Sequence, residues 1–166
     1  MLPFKTILFA TDFSSASKVA FEVASALARD YRARVIAVHV VEPQTIGFSE
    51  FGSYVGPEEE LGEAMRLLRL LKAPSSAVTM EYRLLEGNPA SVIVETAAET
   101  NADVVVMGTH GRSGLTRLIM GSVAEEVLRR SPSPVLTMRA DITVRDEHEE
   151  EVELPETMAT WFSHSA

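Results

Sequence analysis

The chain contains no cysteine, which excludes a disulfide framework and any thiolate metal site. No apolar run approaches the roughly 18 residues of a membrane-spanning helix. The apolar start, MLPFKTILFATDF, is interrupted by Lys5 and has no small-residue cleavage site, so it reads as a first strand and not as a signal peptide. Lysine is scarce: Lys5, Lys18 and Lys72 are the whole complement, and no Gly-Lys pair occurs. A Walker A loop is thereby excluded, because its lysine must follow the second glycine directly. A G-x-G-x-x-G loop is also missing from the end of the first strand, where Ala10-Thr11-Asp12-Phe13-Ser14 stands; a nicotinamide dehydrogenase is not expected. Positive charge is in deficit, with a formal net charge of -9, and nucleic-acid binders usually show the opposite, a basic face. The expectation is a soluble cytoplasmic protein with no membrane span and no nucleic-acid partner.

What is present suits one domain: 166 residues, 46% of them hydrophobic, enough for a sizeable core. The acidity is uneven. Eight acidic residues and one basic follow from Asp141 onward, leaving residues 1–140 close to neutral. The domain expectation is a body over 1–140 and an acidic C-terminal extension over 141–166. The acidic run Asp141 to Glu156 suits a solvated, extended spacer. Beyond it Met158, Trp161 and Phe162 recur at i, i+3, i+4, the apolar side of one helical turn, with Trp161 expected to dock on the body or on a partner. A disordered end with incidental aromatics is the other reading.

Along the body, apolar strands alternate with helical segments. Phe4 to Ala10, Arg34 to Val41, Ala77 to Leu84, Asp103 to Met107 and Pro134 to Arg139 read as strands. Between them, helical spacing (Val23, Leu27, Tyr31; Ala20, Ala24, Ala28) marks a helix from Ser14 or Ser15 to about Tyr31. Pro57 followed by three glutamates opens a second, ending near Lys72. Asn88-Pro89 opens a third, to about Thr100, and a fourth covers roughly Ser122 to Arg130. Strictly alternating strands and helices predict an α/β fold, a doubly wound parallel sheet with helices on both faces.

Four of the nine glycines fall at 108, 111, 114 and 121, directly behind the fourth strand. In open α/β sheets, ligands bind beyond the carboxyl ends of strands, where strand order reverses. Gly108 can turn the chain sharply and let it approach a ligand. Gly111 and Gly114 leave backbone N–H groups free to face an anion. Gly121-Ser122 opens the last helix, whose free N–H groups and dipole favour a phosphate. The alternative is a turn-rich loop and a helix start that hold nothing.

Gly108-x-x-Gly111, nine residues and then Gly121-Ser122 resembles the G-2x-G-9x-G-[S/T] signature of the universal stress protein family. Ile7 to Ser14, Val38-His39-Val40 and Ser133-Pro134-Val135-Leu136 resemble that family too, and the likeness covers about residues 1–140. It implies a five-stranded sheet of order 3-2-1-4-5, and ATP binding where the signature is intact. By position, Asp12 would accept from the ribose hydroxyls, next to Thr11. Ala10 would line the adenine slot, and Val40 would meet the adenine edge through its backbone. Met107 and Gly108 would wall the ribose, and Gly111 and Arg112 would meet the phosphates. Gly121, Ser122 and Val123 would complete the cradle through their N–H groups. The resemblance further implies a homodimer in which the fifth strand, with Val135 and Leu136, pairs antiparallel with its twin.

Plainer readings stand beside these. Asp12 could merely cap the first helix. His110 suits a loop residue, His39 a hydrogen-bonded structural residue at the end of a buried strand. His148 and His164 make no convincing metal site, and the seven methionines look like core filler. The function expected is an ATP-binding stress-response module with at most slow hydrolysis, Mg²⁺ if present being held by phosphate and water. The alternatives are a true ATP hydrolase or phosphate-transferring enzyme, and a nucleotide-free interaction protein that binds an unknown protein partner through its tail.

Overall fold

A computed structural model of the chain describes residues 4–43, 57–73, 75–109 and 121–140. Its elements are β1 (Thr6–Ala10), α1 (Ser15–Tyr31), β2 (Arg34–Val41), α2 (Pro57–Leu70), β3 (Met80–Glu86), α3 (Pro89–Glu99), β4 (Val104–Gly108), α4 (Ser122–Arg130) and β5 (Val135–Met138). The five strands form one sheet of order β3-β2-β1-β4-β5, and every pairing is parallel. The alternation of strand and helix therefore folds as the sequence pattern requires, with strand order reversing between β1 and β4.

β1 is buried along its whole length, and its side chains divide between two apolar layers. Ile7 and Phe9 join Val35, Ala37, Val104 and Val106 in the layer beneath α1 and α2. Leu8 and Ala10 join Ile36, Val38, Val105 and Met107 in the layer beneath α3 and α4. Period-two alternation puts each strand into both layers, which is why β1, β2 and β4 read as nearly continuous apolar runs. Fully buried Ile7, Leu8 and Phe9 each stabilise the fold by about 1.5–3 kcal/mol relative to exposure.

Local signals set the ends of these elements. Ser14 caps α1, its side chain accepting from Ser17 N–H, and Arg32 closes that helix in the left-handed region at φ 53. Asn88 caps α3, with Pro89 at the first turn. Asp103 precedes β4: its Oδ2 accepts from the backbone N–H groups of Lys5 (2.7 Å) and Thr6 (2.8 Å), tying the starts of β1 and β4 together.

Several boundaries differ from the sequence expectation, those of β5 and the end of α2 by only one or two residues. β1 starts at Thr6, not Phe4. β3 runs from Met80 to Glu86, not Ala77 to Leu84, because a turn closed by Val78 N–H to Ser75 O (3.1 Å) occupies its expected start. β4 includes Gly108, which pairs with Met138, so the chain does not turn there. No helix among the described residues is long and apolar enough to cross a membrane.

Candidate functional site

Strand order reverses at the carboxyl ends of β1 and β4, beside the end of β2, where an open α/β sheet leaves a crevice. The loop after β1 is held by its own polar groups. Thr11 N–H donates to Val38 O at 2.9 Å, the last rung between β1 and β2. Thr11 Oγ1 accepts from Phe13 N–H at 3.0 Å and shares a 2.6 Å bond with Ser17 Oγ on α1. Thr11 O accepts from His39 Nδ1 at 2.7 Å. Phe13 adopts φ 62, a left-handed conformation costing a non-glycine residue about 1–2 kcal/mol. Burial of its ring, 4.5 Å from the His39 ring, offsets that cost.

Asp12 stands on this loop, half-buried. Its Oδ1 accepts from Ser14 N–H at 3.0 Å, a tight side-chain turn one residue ahead of the helix. Asp12 is therefore not the cap of α1; Ser14 is. The plain capping reading of Asp12 is corrected accordingly. The turn holds the carboxylate on the loop after β1 and uses one of its oxygens.

On the β4 side, Gly108 has a different task from the expected sharp turn. A Cβ there would stand 2.9 Å from Ala16 Cβ and 3.0 Å from both Ala16 C and Ser17 N. Its missing side chain lets the first turn of α1 lie directly on β4. Thr109 follows, buried, with its N–H (2.8 Å) and Oγ1 (3.2 Å) both donating to Met138 O. Thr109 O in turn accepts from Gly121 N–H at 2.6 Å. The two ends of the glycine segment are thus stitched to each other and to β5.

That stitch changes the expected cradle. Gly121 was expected to offer its N–H to a phosphate, but the group is already donated to Thr109 O. Gly121 instead serves as the N-cap of α4, at φ -60 and ψ 147, with no side-chain cap. The first intrahelical bond is Glu125 N–H to Gly121 O, so the N–H groups of Ser122, Val123 and Ala124 have no acceptor within the helix. N–H groups left open in this way are of the kind that can face an anion, and Glu125 lies in the same turn as a charge of the opposite tendency.

Ala10, Val40, Met107 and Val123 belong to or pack on one apolar cluster. Ala10 is centred in it, opposite Val38 on one side and Met107 on the other. Thr11 and Asp12 continue from Ala10, Gly108 from Met107, and Ser122 precedes Val123 on α4. Gly111 and Arg112, like His110 and Gly114, lie outside the described residues, as do His148, Trp161 and the whole 141–166 extension. Sequence reading missed Ser17, Phe13 and Thr109 as loop anchors. Ser17 had a signal, since a small polar residue recurs near the start of a helix that must approach a glycine; Phe13 had none.

The family model of the universal stress protein family matches residues 3–139. A universal stress protein of Methanocaldococcus jannaschii is 37% identical over 140 residues, covering 82% of this chain and 82% of the relative. A universal stress protein of Thermus aquaticus is 36% identical over 143 residues, covering 82% of this chain and 99% of the relative. Among solved structures, a universal stress protein in complex with cAMP superposes with a TM-score of 0.63 at 26% identity, over 84% of this chain and 100% of that one. On the strength of the matched model, the sequence relatives and the strand order, this chain belongs to the universal stress protein family.

Proposed function

We propose that the chain binds an adenine nucleotide, ATP, in the crevice between the carboxyl ends of β1 and β4. The observation that carries this reading is the uncapped first turn of α4 set beside the Ala10, Val40 and Met107 slot and the Asp12 carboxylate. A flat apolar base, a ribose diol and an anionic tail call for an apolar slot, a carboxylate and a row of N–H donors respectively. The solved relative in complex with cAMP supports the adenine part of the reading. The residues present fit the ligand. The slot is apolar, Asp12 accepts hydrogen bonds through a carboxylate, and Ser122, Val123 and Ala124 offer N–H donors to phosphate. Gly111 and Arg112 would add to the phosphate side.

Binding, not turnover, is the proposed job, within a stress-response role carried by the family. Phosphoryl transfer needs a positioned cation and a group that orients the nucleophile, whereas the cradle would offer backbone amides and Arg112, with no evident base for the γ-phosphate. Hydrolysis should stay below about 0.01 s⁻¹, the rate of nucleotide switches that carry their own catalytic arginine. Mg²⁺ would travel on the phosphates. The unit is a homodimer through β5, whose outer edge has no strand beside it among the described residues; such an edge invites pairing.

Mass spectrometry of small molecules released from the denatured protein, followed by calorimetric titration with ATP, ADP, AMP and cAMP, tests the reading. Adenine nucleotide in the released fraction and saturable ATP binding are expected. A folded protein that neither releases nor binds any adenine nucleotide overturns it.

A further inference from the structure

A parallel ladder obeys a fixed rule: alternate residues of a strand exchange their N–H and C=O with the two residues flanking their opposite number, and those between them face the other way. Thr11 N–H to Val38 O sets the phase between β1 and β2. Continued by that rule, the next bonds would be Val40 N–H to Thr11 O and then Phe13 N–H to Val40 O. Neither forms. Thr11 O is taken by His39 Nδ1 at 2.7 Å, and Phe13 N–H is taken by Thr11 Oγ1 at 3.0 Å. The positive φ of Phe13 turns the chain away from the strand path. Two side chains thus divert the two bonds that would have closed over Val40. Its N–H and C=O both face the β1 side and have no partner among the described residues. The adjacent Val41, facing the other way, has its C=O occupied by Gly87 N–H at 3.0 Å.

A carbonyl oxygen only accepts, so the proton of the His39–Thr11 bond resides on His39 Nδ1. We infer that His39 is a positioning residue of the nucleotide site. By drawing the Thr11 carbonyl toward a side chain that stands off the sheet face, it turns that oxygen out of the ladder, holds the ladder one rung short and keeps the Val40 N–H and C=O exposed as a base-reading edge. The inference rests on the adenine-nucleotide reading above. A donor beside an acceptor matches adenine, whose ring N1 accepts while its amino group donates. Guanine held in the same pose presents the reverse pattern, N1–H where adenine has an acceptor and O6 where adenine has a donor. His39 itself touches no ligand. It acts through Thr11, 28 positions away in sequence, by withholding from Val40 the acceptor that strand geometry would otherwise supply.

The test compares His39→Phe, which keeps a ring against Phe13 and removes the donor, with His39→Asn, whose amide places a donor at the same distance from the backbone. Full-length proteins are titrated with ATP and GTP, and the hydrogen exchange of the Val40 amide is followed without nucleotide. In His39→Phe, Val40 exchange should slow about tenfold as its N–H closes on Thr11 O. ATP affinity should fall about tenfold, the worth of one hydrogen bond, and the preference for ATP over GTP should shrink by the same factor. His39→Asn should restore all three to within about threefold. If His39→Phe fails to fold, His39→Gln replaces it: its amide lies one bond too far and should behave as the phenylalanine does. Unchanged Val40 exchange, or equal weakening of ATP and GTP, makes His39 merely structural and overturns the inference. Should the wild-type protein bind neither nucleotide, the ligand reading fails instead, and Val40 exchange still decides what His39 does.

Discussion

Gly108→Ala isolates the closest contact around the crevice. The new methyl would stand 2.9 Å from Ala16 Cβ, 3.0 Å from Ala16 C and 3.0 Å from Ser17 N. Two of those three atoms are backbone, within the first turn of α1, so no rotamer change can make room. The helix must lift by a few tenths of an ångström, or β4 must bend. Overpacking of this kind costs about 1–3 kcal/mol, while replacing glycine by alanine returns about 0.4–1 kcal/mol through the unfolded chain. The net loss is about 1–2 kcal/mol, or roughly 2–8 °C in Tm for a chain of this size. The same shift pulls Ser17 away from Thr11, whose hydroxyl it meets at 2.6 Å, and so disturbs the loop that carries Asp12. ATP affinity should fall by about tenfold or more, because displacements well under 1 Å suffice to spoil a positioned site. Gly62→Ala is the matched control: it lies in α2, and a Cβ there meets nothing within 4 Å. It should stabilise the protein by about 0.5–1 kcal/mol and leave binding unchanged. Urea unfolding and calorimetry on the three proteins provide the readout. A Gly108→Ala protein as stable as the wild type, binding ATP as tightly, would refute the close approach of α1 to β4.

Three further outcomes are expected. Gly121→Val keeps the fold, since φ -60 and ψ 147 suit a β-branched residue and the bond to Thr109 O survives; as a poor N-cap it costs about 1 kcal/mol. Calorimetry should then show ATP binding abolished, and unchanged affinity would remove phosphate from the start of α4. Leu136→Arg at the outer strand should convert a dimer into a monomer by sedimentation at micromolar concentration; a monomeric wild-type protein sinks the β5 interface outright. Tyr82→Phe probes alkaline stability. Burial raises the Tyr82 pKa above 10.0, so the folded state holds that proton more tightly than the unfolded chain. Its contribution is complete below about pH 10 and fades as pH rises through the folded pKa. Losing the hydrogen bond to Leu71 O should cost about 1 kcal/mol at neutral pH and flatten the alkaline decline, which urea titrations at pH 8 to 11 would show.

The parts of this fold legible in the sequence are those in which one residue type has one physical reason to be there. β2 was expected over Arg34 to Val41 and is observed there, because five β-branched residues among eight suit a strand whose middle is buried on both faces. The Asn88 cap, and the α1 cap to within the pair Ser14 and Ser15, were legible for the same reason, a short polar side chain ahead of an apolar helical period. β3 was misplaced at its start because Ala77, Val78 and Thr79 are good strand formers, and nothing local shows that Val78 N–H turns back onto Ser75 O.

The candidate site was legible as a place more than as a set of contacts. Gly108 and Gly121 were singled out for ligand approach. One gives space to a helix, and the other spends its N–H on Thr109 O. Glycine permits a close approach without saying to what, so spacing alone could not choose between helix and phosphate. Val40 is the extreme case. Its assigned role lies in backbone atoms that every non-proline residue possesses, so no choice of side chain at position 40 could reveal it. The information sits in its neighbours: a ring donor at His39, a hydroxyl at Thr11 and a left-handed Phe13. Only when the sheet sets β1 beside β2 do these residues combine to stop a ladder one rung early. A site made by withholding backbone bonds is therefore encoded in the residues that divert those bonds, and it is at His39, not at Val40, that substitution should alter the reading of a base.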